Sequence, residues 1–177
     1  KRYDLGSSET LGDILFHNGM LYSTGRFTDG GGEAQMRTTM IKMNPDDGMP
    51  VWTILGHRPI SQAARLYGVD MVIDQDEIFS ISVGDQSGTS IDFTQLFIQK
   101  TSLNGEVAWV KQYQLPGTND WADEIISSDN GFVVLARNRV SPSDIILFKI
   151  DRDGNVLWAR KFNFSVNDNS ISIGYVF

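Results

Sequence analysis

The chain has 177 residues, a formal net charge of −7, no cysteine and 41% hydrophobic residues. The length suits one domain. The acidity opposes a grip on nucleic acid or anionic lipid, which needs a basic face, and no run approaches the ~18 apolar residues that span a bilayer. Without cysteine there is no disulfide framework and no zinc cage of the usual Cys and His ligands.

In chain order, residues 1–5 come first. KRYDLGSSETLGDILFHNG at the start parallels KQYQLPGTNDWADEIISSDNG from Lys111, so residues 1–5 read as the outer strand of a preceding unit. Asp13 then opens DILFHNGMLYSTGR, Asp70 opens DMVIDQDEIFSISVG, and Asp123 opens DEIISSDNGFVVLARN. Each reads as a strand, a tight turn (Asn18-Gly19, Asp76-Glu77, Asn130-Gly131) and a second strand, Asn-Gly being the strongest short hairpin signal. Downstream of each comes a second pattern: KMNPDDGMPVW ending at Trp52, KTSLNGEVAW at Trp109, and KIDRDGNVLW at Trp158. Gly48, Gly105 and Gly154 supply the positive φ of a hairpin turn, and a tryptophan stands four residues after each. The flanking runs (TMIKM, LFIQK, ILFKI before; PVWTIL, VAWV, VLWARKF after) are short and rich in β-favouring residues, as strands are.

Each unit is therefore predicted to be a four-stranded antiparallel meander of about fifty residues, the signature of a β-propeller blade. The fold class is all-β, part of a β-propeller. Blades are predicted at residues 11–56, 68–113 and 122–164, with residues 170–177 starting a further blade. Propellers close with about 4–8 blades, so the chain reads as a fragment of a larger ring. The other arrangement is a four-bladed ring whose last blade combines both ends. The first residue is not Met, which also points to a trimmed chain or part of a longer polypeptide. Unpaired strand edges invite association, so remaining blades of the same polypeptide, or a covering partner chain, are expected.

The strand, Asp/Asn-Gly turn and Trp of KIDRDGNVLW resemble the tryptophan-docking repeat of the pyrroloquinoline-quinone-like propellers and of related outer-surface bacterial propellers. The quinoprotein turn carries Thr before its Gly, where this chain has Asp47, Asn104 and Asp153. The resemblance is thus closer to the non-enzymatic propellers of large secreted proteins of the Bacteroidota type, substrates of type IX secretion. It implies an extracellular or cell-surface binding scaffold with no cofactor. Its enzymatic counterpart would be quinone-dependent or hydrolytic, with the active site in blades outside this chain. There is no Trp-Asp dipeptide, no recurring Gly-Gly doublet and no Ser-x-Asp-x-Gly-x-Thr-Trp box, which sets aside WD, kelch and sialidase blades.

Apparent catalytic and metal motifs dissolve when the copies are compared. Asp151, Asp153 and Asn155 open like a calcium loop, but the twelfth position is Phe162 rather than Glu, and Asn44/Asp46 and Ser102/Asn104 show that the pattern follows the turn. Gly30-Gly31-Gly32 lacks the Lys-Ser/Thr of a phosphate cradle. Only His17 and His57 are present, too few for the usual triads and metal cages. Asp13, Asp70 and Asp123 recur at one blade position and read as structural caps. No catalytic or metal residue is assigned. Recognition is expected where the copies differ, in the loops after Arg26, Gly84 and Arg137 and in the links between blades. The candidate binding residues there are Arg26, His57, Arg58, Arg65, Trp121, Arg137 and Arg139, and the expected partner is a protein or a glycan.

Overall fold

The computed structural model describes residues 8–28, 36–56, 65–85, 95–114, 120–138, 144–164 and 171–175. Residues 1–5 lie outside them, as do the variable loops 29–35, 57–64, 86–94, 115–119 and 139–143. The described chain is all strand and turn. Sheet one is the antiparallel meander β1 (Ser8–His17), β2 (Met20–Thr28), β3 (Met36–Met43) and β4 (Pro50–Leu55). Sheet two repeats it with β5 (Arg65–Asp74), β6 (Glu77–Asp85), β7 (Gln95–Ser102) and β8 (Val107–Tyr113). Sheet three does so with β9 (Asp120–Ser128), β10 (Gly131–Asn138), β11 (Ile145–Ile150) and β12 (Val156–Phe164).

A fifth strand, β13 (Ile171–Tyr175), lies antiparallel along β12. It pairs with the edge of β12, whose N–H and C=O groups need partners.

The Trp-side turns follow from their glycines, with φ of +70° at Gly48, +90° at Gly105 and +76° at Gly154. At their bases the side chains of Asn44, Ser102 and Asp151 accept backbone N–H groups two residues on, from Asp46, Asn104 and Asp153. These are the local bonds by which Asx and Ser turns form.

Two of the other hairpins are centred one residue earlier than the sequence suggests. Asp74 pairs with Glu77, so Gln75-Asp76 forms the bend, and Ser128 pairs with Gly131, so Asp129-Asn130 does. Gln75 and Asp76 carry φ of +50° and +59°, the primed-turn geometry that suits strand twist. Gly131 serves a close approach instead: a Cβ there would stand 2.0 Å from the Ile150 carbonyl oxygen.

The sheets stack face to face in chain order. Between sheets one and two lie Tyr22, Met40, Met71 and Ile78. Between sheets two and three lies a larger core that includes Phe79, Ile98, Phe132, Ile146 and Phe148. At each joint a tryptophan of one sheet sits on the turn glycine of the next. Trp52 Nε1 donates to the Leu103 carbonyl at 3.1 Å, and a Cβ on Gly105 would lie 3.4 Å from its ring. A Cβ on Gly154 would lie 2.9 Å from the Trp109 ring, and the Tyr113 hydroxyl donates to the Gly154 carbonyl at 2.7 Å.

Candidate functional site

The first strands of the three sheets each carry a bulge near their loop-side ends. The unpaired residues are Gly12 in β1, Val69 in β5 and Asp123 in β9. A bulge bends its strand and re-aims the neighbouring side chains. Sheets one and two also approach backbone to backbone. A Cβ on Gly12 would stand 2.4 Å from the Gly68 carbonyl oxygen, and one on Gly68 would stand 2.5 Å from that of Gly25. Only glycine permits this spacing.

Above the approach lies an open groove of about 380 Å³, with Thr10, Arg26, Tyr67 and Trp121 on its walls and Gly12 and Gly68 among its floor residues. The Arg26 guanidinium rests 4.8 Å over the Tyr67 ring centroid, and its Nε donates to Thr10 Oγ1 at 2.9 Å. The Tyr67 and Trp121 rings stand 6.2 Å apart, tilted by 49°. A cation–π contact of this kind is worth about 0.5–1 kcal/mol at a solvent-facing position, enough to hold the guanidinium in one orientation. The groove joins two aromatic surfaces to a fixed array of N–H donors.

Below it lies a pair of carboxyls. Asp70 Oδ2 accepts the Ile125 N–H of sheet three at 2.7 Å. Burial raises the Asp70 pKa to about 6, and the adjacent Asp13 carboxyl pushes the same way. Hairpin register sets Glu124 opposite Leu135, four residues before the end of β9, as Asp70 stands four before the end of β5. The third member of the recurring acidic position is therefore Glu124, and the sequence alignment on Asp123 is one residue off. Asp123 instead pairs with Arg137 at 3.0 Å. Asp151 is held below the ordinary carboxylate range by the Asn155 backbone N–H and then by its side-chain amide, so the calcium-like spacing closes on its own turn. Among the described residues no group of three or more His, Asp or Glu is placed to hold a metal.

Of the sequence candidates, Arg26 and Trp121 come together in the groove. Arg137 lies across from Trp121 in the register but does not line it. Arg65 begins β5, with its side chain outside the described set. His57, Arg58 and Arg139 lie outside the described residues. His17 meets Asp76 of the neighbouring sheet at 3.3 Å. The sequence reading missed Tyr67, the ring that joins Arg26 to Trp121. The available signal was a small residue one or two places before the acidic one, in Leu11-Gly12-Asp13 and Tyr67-Gly68-Val69-Asp70.

Compared with known proteins, the chain matches no family model and no curated protein. No helix among the described residues is long and apolar enough to cross a membrane.

Proposed function

We propose that the chain is a run of propeller blades forming a non-catalytic binding module of a secreted or cell-surface protein, and that it recognises a glycan or protein partner at its loop face. The observation that supports this most is the groove, where Arg26, Tyr67 and Trp121 converge at the ends of strands that carry the variable loops. Arg and aromatic residues dominate binding energy in small contact patches. Sugar faces and planar side chains stack on such rings, while hydroxyl or carboxylate acceptors meet the terminal nitrogens of Arg26. Beneath them Gly12 and Gly68 let the two backbones close, which brings Tyr67 up to Arg26.

The test is a glycan array and a surface pull-down with the intact chain, beside Arg26→Ala and Trp121→Ala. Loss of at least tenfold in retained ligand is expected on truncating a hot-spot side chain, with the β-sheet circular dichroism unchanged. Capture that survives both substitutions overturns the groove as the site.

A further inference from the structure

We propose that the groove takes a carboxylate-bearing sugar unit of an acidic glycan, with Arg26 clamping the carboxylate and the Tyr67 and Trp121 rings holding the sugar. This deepens the groove reading and rests on it.

The groove lies across the internal joints and not at an end of the stack. Thr10 and Arg26 belong to sheet one, Tyr67 to sheet two and Trp121 to sheet three. Its volume of about 380 Å³ falls within the roughly 300–1,000 Å³ of clefts that hold small ligands.

Arg26 stands apart in its partners. Among the described residues Lys100, Arg137, Arg152 and Lys161 each pair with a carboxylate. Lys42, Lys111 and Lys149 donate to carbonyl or amide oxygens. Arg26 spends only Nε, on Thr10 Oγ1, and among the described residues its terminal nitrogens donate to nothing. A guanidinium has five N–H donors, so those on the two terminal nitrogens are left for a ligand. Thr10 and the Tyr67 ring already hold the guanidinium plane, and little side-chain freedom is lost when it closes on an acceptor.

Charge balance favours a carboxylate over a phosphate. One guanidinium matches one negative charge, and its planar fork meets the two coplanar oxygens of a carboxylate in parallel bonds. A phosphate monoester carries about −1.5 to −2 at pH 7. The excess would stand above the Asp13 and Asp70 pair, in a chain of net charge −7.

The rings favour a sugar over an acidic peptide. Tyr67 and Trp121 are half-buried and form an open wedge, 6.2 Å between centroids and tilted by 49°. A pyranose has a flat C–H face and, in acidic sugars, a carboxylate on a ring carbon, so one rigid unit fills the wedge and reaches Arg26. An aspartate or glutamate brings its carboxylate on flexible methylenes and leaves the rings to another residue, which costs more ordering.

Binding of the full chain to uronate- and sialate-bearing oligosaccharides, each beside its methyl ester, tests this. At least one acid should be retained, and esterification, which removes the charge and keeps the ring, should weaken it about tenfold or more. Arg26→Gln should bring acid down to the level of ester. Trp121→Ala should weaken both together and leave their ratio standing, with circular dichroism unchanged in each variant. Equal retention of acid and ester, or a preference for phosphorylated or sulfated sugars, overturns the carboxylate and leaves the groove reading in place. Retention of a glutamate-rich peptide and of no oligosaccharide overturns the sugar, as does failure to retain any of these probes. Binding that survives Arg26→Gln and Trp121→Ala alike removes the groove itself and this proposal with it.

Discussion

The joint between sheets one and two and the joint between sheets two and three use the same tryptophan-on-glycine contact but are filled differently. The second is aromatic and aliphatic, with the Phe79 and Phe132 ring centroids 4.0 Å apart. The first mixes its few apolar residues with buried Thr24, Ser80, Gln99 and Thr101. Those polar groups bond within their own sheets: Thr24 Oγ1 donates to the Thr39 carbonyl, and Gln99 Nε2 donates to Thr101 Oγ1. They therefore contribute little across the joint, whereas each buried apolar side chain between sheets two and three adds about 1.5–3 kcal/mol. The difference shows that the docking contact sets geometry and the filling sets strength.

Exchanging core residues should expose that asymmetry most. Phe79→Ala is expected to cost about 3–5 kcal/mol, since its ring contacts both Phe132 and Trp109. In the polar joint Thr101→Val should cost about 1 kcal/mol, the net worth of a lost hydrogen bond. Urea melts measure both, and equal losses would remove the distinction. The turn glycines sharpen it on a smaller scale. A Cβ on Gly105 meets Trp52 and Ile54 at ordinary contact distances of 3.4 Å and beyond, while one on Gly154 meets Lys111, Tyr113 and Trp109 at 2.8–2.9 Å. Gly105→Ala should cost roughly 1 kcal/mol for backbone strain alone, and Gly154→Ala should cost more, because Tyr113 is held to Gly154 by its own hydrogen bond.

The meander and its Trp-side turns are legible in the sequence because a turn glycine with φ near +80° leaves few substitutes, and because three copies can be laid against one another. The slipped hairpin at Gln75-Asp76 is illegible for the complementary reason. Neither residue advertises positive φ as Asn-Gly does. The acidic position is misplaced at Asp123 for a different reason: β9 offers two adjacent carboxyls, and matching aspartate to aspartate selects Asp123 over Glu124. Half of the groove can be read from Arg26 and Trp121. Tyr67 cannot, since its role depends on Gly12 and Gly68 allowing two backbones to close, a contact between residues far apart in sequence. The place of β13 depends on which strand edge is open, which no local pattern records.

Asp70 touches both joints, bonding to Ile125 on one side and neighbouring Asp13 on the other, so pH perturbs them together. Its folded pKa of about 6 lies above the ordinary carboxylate value because burial disfavours the charged form. Between about pH 4 and 6 the folded state holds a proton that the unfolded state has released, so this group's contribution is full below about pH 4 and is lost as pH rises through 6. Asp151 works in the opposite direction, its depressed pKa contributing above the ordinary carboxylate range and fading as pH falls. Asp70→Asn keeps an acceptor for the Ile125 N–H without a charge to desolvate. The difference in melting temperature, variant minus wild type, should therefore grow from pH 4 to pH 7 and then level off. A difference that stays flat across that interval would show that Asp70 titrates as a solvated carboxylate and that the two joints do not share its charge.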